Sequence, residues 1–219
     1  MGLERAELKL RHRLIGALCL NLLIVILGVI ALILSLNEQG IGSFLFYTRD
    51  SNYLAVVVSL LFCIYAVREL QGKSEIPEWV YVLRYIAVSC LMVTFFVVIF
   101  VLMPMMGDNA LFMLYSGSML YQHTLCPILA FISYFVLEIR RPLIKADIIK
   151  ALVPTLTYAM ITIMLNVCRV IEGPYPFLMV YAQPWYMSAL WLIIILGIAG
   201  LLAFAVWGLH SFIWKREYR

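Results

Sequence analysis

A threonine and a histidine in the apolar part of the chain are the residues best suited to chemistry. His123 lies near the middle of the segment from Leu111 to Leu137, which contains no acidic or basic side chain. Ionisable residues inside membrane segments usually line a site or a water-filled cavity. Thr48 opens another apolar segment, and a threonine hydroxyl becomes a nucleophile when a base such as histidine takes its proton. With the histidine as base, the threonine hydroxyl can therefore attack an ester carbonyl and form an acyl-threonine intermediate. Water then releases the acyl group from the threonine.

The segment that begins near Thr48 carries further polar side chains on one helical face. That face is formed by Thr48, Ser51, Asn52 and Ala55, at helical spacing, with Arg49 and Asp50 beside it. A developing oxyanion needs hydrogen-bond donors, and we consider Asn52, Tyr175 and Arg169 as candidates. For Thr48 alone, a structural hydrogen bond to a neighbouring helix is the competing interpretation.

A second polar stripe runs along the predicted fifth segment. Its members recur at helical spacing: Thr155, Tyr158, Thr162, Asn166 and Arg169. Lipid cannot satisfy these groups, so the stripe must face protein or water. It is either a hydrogen-bonded seam between helices or the wall of a polar cavity that ends at Arg169. We also expect Arg169 and Asp50 to approach the same outer boundary, where an ion pair between them is a hypothesis.

The composition predicts an integral membrane protein. Of the 219 residues, 65% are hydrophobic and 13% are charged, whereas soluble domains are about half apolar and a quarter charged. Several runs reach the roughly 20 apolar residues that cross a hydrocarbon core. We predict an all-α bundle of six transmembrane helices in a single domain over residues 1–219, with spans at residues 14–36, 44–67, 80–103, 111–137, 149–170 and 189–214.

Basic residues predict the orientation of these spans. If the spans alternate, most Lys and Arg residues, including Arg84 near the second loop, fall on one face. The opposite face keeps only Arg49 and Arg169. The positive-inside rule places the basic face and both termini in the cytoplasm. The net charge of +4 therefore reflects membrane topology and gives no reason to expect a nucleic-acid partner.

The sequence predicts neither a metal site nor a cofactor. The five cysteines fall within the predicted spans and show no Cys-x-x-Cys pairing, so they are expected to pack as small apolar side chains. The chain also contains no His-Glu-x-x-His run and no phosphate-binding glycine loop.

The depths of the two candidate catalytic residues permit a contact without requiring it. At about 1.5 Å per residue, we expect His123 roughly 15–18 Å from the outer end of its helix and Thr48 roughly 7–10 Å from the outer end of its own. Pro127, one turn after His123, removes a backbone donor and is expected to kink the helix.

The order of several motifs resembles a family of six-span membrane proteins. The matching residues are Phe46-Tyr47-Thr48 with Ser51-Asn52, His123-Thr124 with Pro127, Arg169, and Pro174-Tyr175-Pro176-Phe177-Leu178. From about Phe44 to Phe212 the chain is similar to the androgen-inducible and androgen-dependent membrane proteins, and most similar to their bacterial relatives. The resemblance implies six helices with both ends in the cytoplasm. It also implies hydrolysis of fatty acid esters of hydroxy fatty acids by a threonine nucleophile and a histidine base, here Thr48 and His123. The chain departs from the animal members at Arg49 and Asp50, where they have apolar residues, and by one residue fewer between the histidine and the proline.

We therefore expect an intramembrane lipid ester hydrolase in a bacterial cytoplasmic membrane. Thr48 and His123 would be catalytic, and the substrate-binding residues would be Asp50, Asn52, Asn166, Arg169 and Tyr175. Its partners would be a lipid or fatty-acyl ester substrate and membrane lipids. One alternative is an acyltransferase with the same acyl-threonine intermediate. Another is a non-catalytic solute- or lipid-binding or transport protein, in which His123 and the fifth-segment stripe line the path.

Overall fold

Six helices long and apolar enough to cross a membrane occupy most of the computed structural model, which describes residues 2–107 and 110–218. The helices are α1 (Gly2–Gln39), α2 (Tyr47–Leu70), α3 (Glu78–Met106), α4 (Gly117–Glu138), α5 (Ala146–Val167) and α6 (Trp185–Tyr218). A 3₁₀ turn, Gly40–Leu45, joins α1 to α2, and a separate single turn, Phe112–Tyr115, precedes α4. The described chain is 85% helical without a β-strand, which confirms the all-α six-helix prediction.

Both described ends of the chain lie on the same face of the bundle. Arg13 of α1 forms an ion pair with Glu217 of α6. On the same face, Arg140 of the loop after α4 lies 2.7 Å from Glu69 at the end of α2. The basic residues that the charge pattern assigns to one side therefore meet there, and the positive-inside rule assigns that side to the cytoplasm.

Apolar side chains cover the outside of the bundle as well as its core. Ile33, Val57, Ile193 and Leu201 are between 54% and 71% exposed, as expected for side chains that contact lipid. The core between the helices contains fully buried aromatic and aliphatic residues such as Tyr85 and Leu91. The membrane-protein prediction therefore rests on both the length of the helices and the apolar character of their outer surface.

Arg84 and Glu138 form a buried ion pair between α3 and α4. The Arg84 guanidinium donates to the two carboxylate oxygens at 2.7 and 2.9 Å, and both side chains are fully buried. Asn21 of α1 and Ser133 of α4 also donate to Glu138, and Ser59 of α2 accepts from Arg84. Arg84 therefore lies within α3, about two turns from the end that adjoins the second loop, and is buried inside the bundle. Glu138, 54 residues away in the sequence, neutralises its charge there.

The predicted fourth span, residues 111–137, is broken near its outer end. Ser116 is extended (φ −97°, ψ 133°) and Gly117 has φ 49°, so α4 begins only at Gly117. Glu38, near the end of α1, accepts hydrogen bonds from the backbone N–H and the hydroxyl group of Ser118, at 3.0 and 2.6 Å. It thereby satisfies part of the helix N-terminus. A Cβ atom on Gly117 would lie 2.4 Å from a Glu38 carboxylate oxygen, so the site accommodates only glycine without a shift.

This break places His123 closer to the outer boundary than the sequence predicted. His123 lies six positions after Gly117, or ~9 Å along the helix, because the continuous helix assumed from the sequence does not exist. Thr48 is the second residue of α2. Along their own helices, Thr48 therefore lies ~1.5 Å and His123 ~9 Å from the first residue. The fifth span also ends earlier than predicted, at Val167, and leaves Arg169 outside the helix with φ 57°.

Candidate functional site

Both predicted catalytic residues line one cavity in the outer half of the bundle. The cavity has a volume of about 360 Å³. Its polar lining comes from the end of α1, the start of α2, the first third of α4 and the loop after α5, through Gln39, Thr48, Arg49, His123 and Tyr175. The rest of the wall is apolar and rich in methionine: Phe46, Leu102, Met105, Met106, Met113, Met119, Pro174 and Pro176. The fold thus combines a small polar cluster with an apolar chamber, which is the usual composition of a small-molecule site.

Thr48 is held at the N-terminus of α2 by Tyr175. The Thr48 backbone N–H, which has no partner within the first turn of the helix, donates to the Tyr175 hydroxyl oxygen at 3.3 Å. The Tyr175 hydroxyl group in turn donates to Thr48 Oγ1 at 3.4 Å. Because the N-terminus of a helix carries partial positive charge, negative charge that develops at Thr48 is stabilised there. The position suits a nucleophile whose attack creates an oxyanion.

His123, which lines the cavity, uses one ring nitrogen in a hydrogen bond to the backbone. Its Nδ1 atom lies 2.7 Å from the Met113 carbonyl oxygen, which can only accept, so Nδ1 carries the proton of the neutral ring. Nε2 is then the basic nitrogen, and it has no hydrogen-bond partner among the described residues. The carbonyl is available because Met113 belongs to the single turn before the break in α4, whose backbone groups lack helical partners. The break therefore determines the tautomer of the histidine.

Asn52 connects the helices that carry Thr48 and His123. Its side-chain amide, buried in the core, donates to the Thr48 carbonyl oxygen at 2.7 Å and to the Gln122 carbonyl oxygen at 2.9 Å. Residues Leu120–Leu125 are π-helical, so the Gln122 carbonyl would pair with the N–H of the residue five positions later. That residue is Pro127, which has no N–H. Asn52 supplies the missing donor to the Gln122 carbonyl oxygen. The disturbance of the helix expected before Pro127 takes the form of this π-helical stretch.

Tyr175 remains protonated at physiological pH. Burial raises its pKa to about 12, and the hydrogen bonds with Thr48 oppose this rise. The residue lies in the loop after α5, and its ring stacks on Phe177 with the centroids 5.1 Å apart. Tyr175 is therefore a fixed donor beside Thr48.

Arg49 is the charged residue of the cavity, and it is not among the site residues predicted from the sequence. It is only 5% exposed, and its guanidinium donates to the Gln39 side-chain oxygen at 3.0 Å. The Glu38 carboxylate lies 3.7 Å away, and the Phe46 ring lies 5.2 Å from the guanidinium carbon. The signal was present in the sequence, since Arg49 follows Thr48 directly and is one of two basic residues on the outer face.

A second, smaller cavity of about 40 Å³ adjoins Thr48, and Arg49 is not among the described residues that line it. Thr48 and Tyr175 belong to the walls of both cavities. The remaining walls are largely apolar and come from α3, α5 and α6, including Val93, Ala159 and Trp191. Thr48 therefore lies between a chamber that contains a cation and a narrow pocket that does not.

Most of the fifth-segment stripe forms a seam between helices. Thr155 shares a 2.8 Å hydrogen bond with the Tyr47 hydroxyl group, and the Tyr158 hydroxyl group donates to the Leu45 carbonyl oxygen at 2.7 Å. These bonds attach α5 to the start of α2. The seam interpretation therefore describes this part of the stripe, and its role is to position the segment that contains Thr48.

Asp50, Asn166 and Arg169 do not line the cavity of Thr48 and His123. Asn166 accepts from the Val180 backbone N–H and donates to a loop carbonyl, both at 2.9 Å, and so fixes the loop after α5. Arg169 lies over the Tyr181 ring, 4.8 Å from its centroid, beside a separate cavity that Asn166 also lines. Asp50 is half-buried, and the hypothesised ion pair between Asp50 and Arg169 is absent from the described ranges. The early end of α5 turns Arg169 away from the bundle, which is why its helical spacing was misleading.

Within residues 2–107 and 110–218, no group of three or more His, Cys, Asp or Glu side chains is arranged to hold a metal ion. Comparisons of the chain with protein families, with curated proteins and with solved structures give no match.

Proposed function

We propose that this protein is an intramembrane lipid ester hydrolase, with Thr48 as the nucleophile and His123 as the general base. One observation carries the proposal: the two side chains, 6% and 4% exposed, line the same cavity. The fixed Nδ1–H of His123 supports it, because the basic Nε2 is then the nitrogen available to accept a proton. The resemblance to the androgen-inducible and androgen-dependent proteins, which rests on these same residues, is consistent with this chemistry.

The proposed reaction proceeds through an acyl-threonine. Thr48 Oγ1 attacks the ester carbonyl carbon while its proton passes to His123 Nε2. The Tyr175 O–H and the N-terminus of α2 stabilise the oxyanion. The C–O bond to the leaving alcohol then breaks, and His123 returns the proton to that alcohol. His123 next takes a proton from water, whose oxygen attacks the carbonyl carbon of the acyl-threonine. The bond from that carbon to Thr48 Oγ1 then breaks, the carboxylic acid leaves, and His123 returns the proton to Thr48 Oγ1.

The two cavities at Thr48 support a lipid ester as the substrate. With its carbonyl carbon at Thr48, such an ester extends one arm into the larger chamber and the other towards the narrow apolar pocket. The walls of both contain mainly apolar side chains, which match acyl chains. Fatty acid esters of hydroxy fatty acids, implied by the family resemblance, are the substrates we propose to test first. The bacterial cytoplasmic membrane is the location we propose, on the same resemblance.

Covalent labelling tests the assignment of the nucleophile and the base. We expect a fluorophosphonate probe to form an adduct at Thr48 of the purified protein in non-ionic detergent, as located by mass spectrometry. Thr48→Ala and His123→Ala should lose the adduct, and Thr48→Ser should retain it because the hydroxyl group is kept. Thr124→Ala is the matched control, since that neighbouring hydroxyl group bonds the Leu114 carbonyl oxygen at 2.8 Å. Equal labelling of the parent, Thr48→Ala and His123→Ala would refute the proposal.

Product analysis separates hydrolysis from the alternatives. A labelled fatty-acyl ester should yield the free acid and the alcohol in the parent, and neither in Thr48→Ala. Transfer of the label to an added lipid alcohol, in preference to water, would identify an acyltransferase. Solute flux in proteoliposomes together with no adduct at Thr48 would favour a transport protein.

A further inference from the structure

Arg49 has more hydrogen-bonding capacity than the protein satisfies. A guanidinium group carries several N–H donors in a planar fork, but within the described ranges that of Arg49 donates only to Gln39. The nearest carboxylate, of Glu38, is 3.7 Å away, which is too long for a hydrogen bond. Its two oxygens already accept from the backbone N–H and the hydroxyl group of Ser118. The Glu38 carboxylate thus accepts hydrogen bonds from the N-terminus of α4. Among the described residues, the Arg49 guanidinium keeps N–H donors that have no acceptor.

The location of Arg49 makes these free donors available to a ligand. The residue is 95% buried and lines the cavity of Thr48 and His123. A buried cation without a hydrogen-bonded anion is costly, and a bound anion removes that cost. Among the described residues, the other titratable groups in the cavity wall are His123 and Tyr175, and neither is an anion when His123 is neutral and Tyr175 is protonated.

The remaining wall defines the rest of the ligand. Four methionines line the chamber, and methionine side chains adapt to flexible apolar chains. A planar guanidinium recognises carboxylate and phosphate groups through paired hydrogen bonds. We propose that this cavity selects amphiphiles that carry an oxyanion, with the oxyanion bound by Arg49 and the apolar chain held by the methionine-rich wall. This inference deepens the proposed function, because it assigns an anionic group to the part of the substrate that occupies the larger chamber.

Equilibrium binding tests this assignment without requiring catalysis. The probe is a fluorescent polyene fatty acid, with its methyl ester as the neutral counterpart, added to the Thr48→Ala protein in non-ionic detergent. We expect the acid to bind at least about tenfold more tightly than the ester, because charge-assisted hydrogen bonds are strong. Arg49→Gln should remove this preference, and Arg49→Lys should retain part of it. Competition by dodecanoate, dodecyl phosphate and dodecanol shows whether carboxylate or phosphate is preferred.

Several outcomes would overturn the inference. Equal affinity of the Thr48→Ala protein for the acid and the ester would do so, even if Arg49→Gln fails to fold. The inference would also be overturned if the affinity for the acid fell in Arg169→Gln and stayed unchanged in Arg49→Gln, because Arg169 lines a separate cavity. Arg49-dependent binding without any labelling of Thr48 would support the anion site and refute the hydrolase. Labelling of Thr48 together with equal affinity for the acid and the ester would support the hydrolase and refute the anion site.

Discussion

Replacement of Asn52 by alanine separates its structural role from its effect on the site. Asn52 donates to two carbonyls, at 2.7 and 2.9 Å. After the substitution the Thr48 carbonyl keeps the Ser51 hydroxyl group, at 3.2 Å, as a donor. The Gln122 carbonyl keeps none, because Pro127 occupies the position of its π-helical partner. An unsatisfied buried carbonyl costs about 1–3 kcal/mol, and we expect a loss of that size in the free energy of unfolding.

Pro127→Ala provides the decisive second substitution. It restores a backbone N–H five residues after Gln122, so the double variant Asn52→Ala/Pro127→Ala should recover most of the lost stability. It does not restore the connection between α2 and α4, so labelling of Thr48 by a fluorophosphonate should stay slow in both variants. If that connection contributes ~1.4 kcal/mol to the reactive geometry, labelling slows about tenfold. Stability is measured by unfolding in mixed micelles, and labelling by initial rates.

Ser51→Ala is the matched control for Asn52. Ser51 is adjacent, similarly buried, and bonds the Thr94 hydroxyl group of α3 at 2.6 Å, so its loss leaves the link to α4 intact. Labelling should therefore remain near the parent rate in this variant. Additive losses of stability for Asn52→Ala and Pro127→Ala would refute the compensation of Pro127 by Asn52. Equal labelling of Ser51→Ala and Asn52→Ala would refute the positioning role.

Three further predictions concern the fold and Tyr175. Arg84→Gln should destabilise the protein by roughly 3–5 kcal/mol, since it leaves the Glu138 carboxylate buried without its cation, and the additional change Glu138→Gln should recover much of this in the same unfolding assay. Gly117→Ala should cost roughly 1–2 kcal/mol, because of its positive φ and the contact with Glu38; a neutral effect would contradict the close approach. Tyr175→Phe should slow labelling about tenfold by loss of one oxyanion donor, whereas an unchanged rate would exclude that role. Burial raises the pKa of Tyr175 to about 12, above the value of about 10 in the unfolded chain. The contribution of Tyr175 to the free energy of unfolding is therefore complete below about pH 10 and is lost as pH rises through about 12. The Tyr175 hydroxyl group of the parent should accordingly still be a donor near pH 10.

The architecture was predictable because it depends on lengths and charges that are local in the sequence. Apolar runs long enough to cross a bilayer gave the six helices, and the basic residues gave the common face of the two ends. The break at Ser116 and Gly117 was not predictable, since it depends on distant partners. Glu38 of α1 caps the N-terminus of α4, and the side chain of His123 donates to the Met113 carbonyl oxygen in the turn before α4. Hydropathy alone does not register either interaction.

The candidate site was predictable in part. Thr48, His123 and Tyr175 line one cavity, whereas Asn166, in the last turn of α5, bonds the loop that follows and Arg169 lies in that loop. Helical spacing placed Arg169 on the stripe because the helix was assumed to continue to residue 170. It ends at Val167, and the backbone then turns through a positive φ at Arg169. Spacing arguments therefore hold only as far as the helix extends.

Hydrogen-bond satisfaction distinguishes structural from functional polar groups better than spacing does. Thr155 and Tyr158 are polar residues of α5 whose hydroxyl groups bond fixed partners at Tyr47 and Leu45, so they orient the bundle. His123 Nε2 and the Arg49 guanidinium lie in the cavity wall with bonding capacity left over. In an apolar interior such capacity is costly unless a ligand or water uses it. His123 and Arg49 line one cavity with Thr48, and Thr48 also lines the narrow apolar pocket. This arrangement is the physical basis for proposing an anionic lipid ester as the ligand.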